Sequence, residues 1–182
     1  MIRLLLVRHG ESTWNVDGRV QGQAPGVRLT PRGREQADAV ARALTGCGAT
    51  LLLSSDLERA LQTAAVIGAA LGLPVAPAPA LREQALGDLE GRLASELTAQ
   101  PTPPGQHVHE VRWSGGESVA DVYARLSDWL AGLCASEDGR TVIAVTHAGP
   151  MQALRTLHAG GGHRDVDWTP IPPAGVLDYA WD

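Results

Sequence analysis

Leu6-Val7-Arg8-His9-Gly10-Glu11-Ser12 decides how this chain is read: an apolar run breaks off at an arginine and a histidine, and a glycine follows. Ile2 to Val7 has the unbroken apolar character of a fully buried strand, and Gly10 permits a sharp turn just after the two polar side chains. Such a strand places Arg8 and His9 at its carboxyl end, where open α/β sheets bind their ligands. The guanidinium is a planar fork that matches phosphate, and a neutral imidazole nitrogen is able to attack phosphorus. Taken alone, the segment also fits a strand end with His9 bonded to a nearby carbonyl and Arg8 solvated, the less favoured of the two readings.

The same grammar returns in Val142-Ile143-Ala144-Val145-Thr146-His147-Ala148-Gly149, a second apolar strand that ends in a histidine and a glycine. A third strand, Leu51 to Leu53, runs into Ser54-Ser55-Asp56-Leu57-Glu58-Arg59, a capped helix start with Arg59 in its early turns. Arg82-Glu83, followed by Gly87, Glu90 and Gly91, supplies a carboxylate in a loop. Two arginines, two histidines and one glutamate thus stand at strand ends or in loops.

Between these points strands alternate with helices, the pattern of a doubly wound sheet. The prediction is a three-layer α/β/α sandwich with a mostly parallel central sheet flanked by helices, formed as one domain over residues 1–182. Thr30-Pro31 opens one helix with an N-cap and a proline at the first position, and Ala37, Val40, Ala41 and Leu44 recur at helical spacing before Gly46. A second helix spans about Leu57 to Leu71 and stops at Gly72. A third covers Ser118 to Leu133, with Ser118 and Asp121 at capping-box spacing, and a fourth covers Gly149 to about His158. The dipole at that last helix start favours an anion. Val176 to Trp181 reads as a closing strand.

Composition narrows the class of function. The chain carries a net charge of −5, so any positive pocket is local, and the basic footprint of a nucleic-acid binder is absent. No stretch approaches the roughly 20 apolar residues of a membrane span. Cys47 and Cys134 fit no zinc spacing and lie in apolar helical surroundings, which suits a reducing compartment and a cytoplasmic protein.

Taken in order, Arg8-His9-Gly10-Glu11-Ser12 with Trp14-Asn15, Ser54-Ser55-Asp56-Leu57-Glu58-Arg59-Ala60 with Gln62-Thr63, Arg82-Glu83 with Gly87-Asp88-Leu89-Glu90-Gly91, Gly115-Gly116-Glu117-Ser118, and Thr146-His147-Ala148-Gly149 resemble the histidine phosphatase superfamily, the phosphoglycerate mutase-like family. The resemblance implies that His9 is a nucleophile carrying the phosphoryl group on Nε2. It implies that Arg8, Arg59, Asn15 and His147 surround the phosphate oxygens, a reaction in which positioning and charge stabilisation dominate. Ser12 and Thr13 would add hydroxyl donors, with backbone amides near Gly10, Ala148 and Gly149 completing the cradle. Glu83 would protonate the leaving oxygen and then take a proton from water, a role that calls for a pKa near neutrality, and Arg82 must point away to permit it. No cofactor and no metal are implied. The partner is a small phosphorylated metabolite, and the sequence does not give the oligomeric state.

The proline-rich stretch Pro101 to Trp113 reads as a short loop or lid between a helix at Glu90 and the Ser118 helix. Its His107 and His109 alternate as metal ligands do, but no third ligand lies near in sequence. Its shortness favours small phosphatases, such as those similar to α-ribazole phosphatase or to broad-specificity phosphatases, over the longer phosphoglycerate mutases. Ala24-Pro25-Gly26-Val27-Arg28-Leu29-Thr30 lacks the acidic residue common in the family, and Arg28 stands where a proline is frequent. The expected activity is hydrolysis of a small phosphomonoester. Mutase-type phosphoryl transfer is the alternative, and a non-catalytic phospholigand-binding module a further one.

Overall fold

A computed structural model describes residues 1–182. Strands β1 (Ile2–Arg8), β2 (Ala49–Ser54), β3 (Val75–Pro77), β4 (Thr141–Thr146) and β5 (Val176–Trp181) form one sheet in the order β3-β2-β4-β1-β5. The first four run parallel, and β5 lies antiparallel to β1 at the edge. The helices are α1 (Thr13–Val16), α2 (Pro31–Ala43), α3 (Glu58–Leu71), α4 (Val119–Ser136) and α5 (Ala148–His158).

Alternate residues of β1 explain the layers. Leu4 and Leu6 pack with Leu126 and Leu130 of α4 and Met151 and Leu154 of α5. Leu5 and Val7 pack with Val40 and Ala41 of α2 and with Ala60, Ala64 and Ile67 of α3. Both faces of the strand are therefore covered, which accounts for an unbroken apolar run where a half-exposed strand would alternate. Each leucine, isoleucine, valine or methionine among them contributes about 1.5–3 kcal/mol on burial. The result is the expected three-layer α/β/α sandwich with a mostly parallel sheet.

Local signals set the helix ends. Thr30 caps α2, its Oγ1 accepting from Gly33 N at 3.0 Å, with Pro31 directly behind it. Ser118 and Asp121 form the reciprocal capping box of α4. Gly72 ends α3 with φ of 69°, a conformation costly for any residue with a Cβ. Helix α4 runs three residues beyond Leu133, and the four-residue α1 was too short to show any periodicity.

Within residues 78–118 the loops expected around Glu83 and over 101–113 are present, and one expectation fails. The helix anticipated at Glu90 is only a 3-10 turn at Gly87–Leu89, and the whole stretch is built from five such turns. Gly87 (φ 53°) and Gly91 (φ 84°) take left-handed backbone on either side of Glu90, which breaks any helical run there.

Parallel pairing brings the carboxyl ends of β1, β2 and β4 to one rim. Arg8 registers with Thr146, and Ser54 with Val145. One residue further on, His9 N donates to Thr146 O and Ser55 N to Val145 O, both at 2.9 Å. No helix is long and apolar enough to cross a membrane.

Candidate active site

The rim carries His9, Ser55 and His147 from three neighbouring strands, and α3 contributes Arg59 from its first turn. His9 is 2 % exposed, and Arg59 and His147 are equally buried. His9 Nδ1 lies 2.7 Å from the Gly10 carbonyl. A carbonyl only accepts, so Nδ1 carries the proton and Nε2 keeps its lone pair. Burial, and then the charge of Arg59, push the His9 pKa down to about 3, with the Gly10 bond working weakly against them. His9 is therefore a neutral imidazole with Nε2 free.

The His147 ring stands 5.1 Å from that of His9, centroid to centroid. Its Nε2 meets Ser55 Oγ at 2.8 Å, and Ser55 Oγ also accepts from Leu57 N. With the hydroxyl proton given to Nε2, the His147 Nδ1–H is a donor, and that nitrogen is buried without a partner. Burial, followed by Arg59 and His9, holds His147 well below the ordinary histidine range, so it too is neutral.

Arg59 donates through Nη2 to the Gly22 carbonyl at 2.7 Å, while its Nε and Nη1 are buried and unpaired. Burial lowers its pKa to about 10, partly offset by the carboxylates of Glu83 and Glu90, so it stays charged. Arg8 donates to the Ile171 carbonyl and leaves Nε unpaired. Buried guanidinium donors without acceptors are uncommon, and several on two arginines whose charges both act on His9 make a ready anion cradle. Glu83 lies within reach of both arginines' fields. Its Oε1 accepts from Gln84 N at 2.9 Å and its Oε2 from Gly149 N at 3.3 Å. Arg82 turns away from it and pairs with Asp56 through two hydrogen bonds.

Not every residue named from the sequence faces this cradle. Ser12 is fully buried and caps α1, its Oγ 2.9 Å from both Asn15 Oδ1 and Gln21 Oε1. The hydroxyl is thereby a structural cap and not the phosphate donor expected. Asn15 holds Ser12 through Oδ1, which leaves its amide nitrogen for other use. Ala148 begins α5, where the first amides have no partner inside the helix. Glu90 braces backbone, accepting from Gln23 N and Leu86 N, and forms no arginine pair. Arg28 pairs with Glu58 on the surface at 2.7 Å. His107 and His109 stack edge to face, and His109 Nδ1 bonds the His163 carbonyl. Trp113 lines a cleft of about 440 Å³ with Leu89, Arg92 and Leu97, apart from the catalytic cluster.

Sequence reading missed three contributors. Ser55 sets the His147 tautomer, Thr63 Oγ1 accepts from Gly10 N at 3.1 Å, and Gly22 supplies the carbonyl that anchors Arg59. Ser55 and Thr63 lie inside the quoted motif, and a serine two residues after a buried strand end was the available signal. The Gly22 carbonyl carries no side-chain signature at all.

Comparison with known proteins places this geometry. Residues 4–182 match the histidine phosphatase superfamily (branch 1). The chain is 36% identical to the glucosyl-3-phosphoglycerate phosphatase of Mycobacterium tuberculosis over 191 residues, covering 93% of this chain and 84% of that protein. It is 35% identical to phosphoserine phosphatase 1 of Hydrogenobacter thermophilus over 158 residues, covering 85% and 74%. The solved structure of the mycobacterial glucosyl-3-phosphoglycerate phosphatase with VO3 superposes with a TM-score of 0.85 at 34% identity, covering 97% of this chain and 91% of that one. On a match that takes in nearly every residue, the chain belongs to the histidine phosphatase superfamily, branch 1.

Proposed function

We propose that this histidine-type phosphatase hydrolyses a small-molecule phosphomonoester in two steps through a phosphorylated His9. His9 Nε2 attacks phosphorus, the ester P–O bond breaks, and Glu83 gives a proton to the departing oxygen. Water then attacks the phosphohistidine, Glu83 takes its proton, and inorganic phosphate leaves with His9 neutral again. Arg8, Arg59, Asn15 and the His147 Nδ1–H hold the equatorial oxygens, with the Ala148 amide adding a donor. The observation that carries this reading is the pairing of a free Nε2 on a neutral, buried His9 with unpaired donors on Arg8, Arg59 and His147. The positive charge of the cradle comes from guanidinium groups, so the reaction proceeds without a metal.

The relatives named above act on glucosyl-3-phosphoglycerate and on phosphoserine, which supports a small phosphorylated metabolite as the substrate class. The test is phosphate release from a panel of such esters with chelator present, alongside 3-phosphoglycerate isomerisation. Release by the wild type and its loss in His9→Ala are expected, with a fall of at least about 10⁴-fold. Isomerisation without release would replace hydrolysis by mutase chemistry, and undiminished release by His9→Ala would refute the nucleophile.

A further inference from the structure

Arg125 lies on α4, outside the catalytic cluster, and its guanidinium is wrapped around the loop that carries Glu83. Nη1 donates to the Ala80 carbonyl at 2.6 Å, and Nη2 to the carbonyls of Arg82 at 2.8 Å and Glu83 at 3.1 Å. Nε meets Glu117 Oε1 at 2.8 Å, and Nη2 also reaches Glu117 Oε2 at 3.2 Å. Glu117 in turn accepts from Ala85 N at 2.9 Å, and its own carbonyl accepts from Gln84 Nε2 at 2.7 Å. Gln23 Nε2 closes the ring on the Glu83 carbonyl at 3.0 Å.

This loop has little internal structure to hold it. After the 3-10 turn Pro79–Leu81 the chain forms no ladder, so its carbonyls must find donors elsewhere. One guanidinium, with five donors in a rigid fork, satisfies three of them at once, which a lysine's point charge does not reproduce. The side chain is only 21% exposed, so solvent is a poor substitute.

We infer that Arg125, held by Glu117, is a positioning residue that fixes the Glu83 carboxylate for proton transfer to the leaving group. The inference rests on the acid and base role proposed for Glu83. An anchor of this kind acts on one step of the reaction. Misplacing Glu83 slows departure of an alkoxide, which needs a proton, and leaves departure of p-nitrophenolate, which needs none, nearly untouched. Loss of fold or of the phosphate cradle slows both alike.

The experiment compares kcat/KM, which reports transfer to His9, for an alkyl phosphomonoester and for p-nitrophenyl phosphate. Wild type, Glu83→Gln, Arg125→Lys and Glu117→Gln are measured side by side. Glu83→Gln is expected to lose about 10²–10⁴-fold on the alkyl ester and little on the aryl ester. Arg125→Lys and Glu117→Gln are expected to repeat that selectivity at about 100-fold, the cost of an ångström-scale displacement. Preserved aryl activity is the control for folding. Equal loss on both esters, or no loss, in the Arg125 and Glu117 variants while Glu83→Gln stays selective overturns the positioning role alone. A Glu83→Gln variant without selectivity overturns the acid role, and the inference with it.

Discussion

Gly149 shows how little room a single position leaves. A Cβ built there would stand 2.4 Å from Glu83 Oε1, so the first turn of α5 and the Glu83 carboxylate share a space that only hydrogen fills. Gly149→Ala is expected to displace Glu83 and cut alkyl-ester kcat/KM about 100-fold, while calorimetric affinity for inorganic phosphate stays within a few-fold. An unchanged kcat/KM would mean that the carboxylate tolerates the shift. His9, His147, Arg8, Arg59 and Glu83 were all legible as residues, because each is a charged or polar group at the end of an apolar run, in the first turn of a helix that follows one, or in a loop. Their partners were less so. The carbonyl acceptors of Gly22 and Ile171 are backbone atoms that any sequence supplies, and the diversion of Ser12 into a cap depends on Asn15 and Gln21 folding back onto it.

At the scale of elements, β1, β4, β5 and the four long helices were readable because apolar runs, the caps of α2 and α4 and the glycine stop of α3 agree with one another. The side-chain cap expected ahead of Arg59 is absent, and Leu57 stands at that N-cap. The turns of the 78–118 segment were not readable, since 3-10 turns have no period that outlasts one turn and are placed by long-range contacts such as Arg125 to Ala80. One close contact between elements was equally hidden. A Cβ on Gly10 would fall 2.3 Å from the Gly33 carbonyl, so the turn after β1 seats directly on the start of α2. Gly10→Ala is expected to lower unfolding free energy by about 1–3 kcal/mol through forced separation of the two elements. Urea denaturation measures this, and an unshifted midpoint would show that α2 slides aside without cost.

Across the whole molecule, a net charge of −5 coexists with a cradle whose two histidines are held neutral well below the ordinary histidine range. His9 titrates at about 3 in the native state, against about 6.5 unfolded. Between those values the unfolded chain binds the proton that the native one refuses, so stability rises with pH and is lost as pH falls below about 6.5. His147 acts in the same direction. Each group contributes a slope of about 1.4 kcal/mol per pH unit when fully engaged. Unfolding measured from pH 5 to 6.5 is expected to show this acid loss in the wild type and a shallower slope in His9→Ala; matching slopes would contradict the neutral native histidine. The sheet order has a consequence for synthesis. β1 is made early, yet its two neighbours are β4 and β5, separated from it by well over a hundred residues of chain. On the ribosome β1 therefore waits with both edges unpaired until translation has passed residue 146, and with one edge unpaired until it has passed residue 181. A nascent polypeptide stalled before β4 holds His9 without the Thr146 carbonyl that its backbone amide meets in the folded protein.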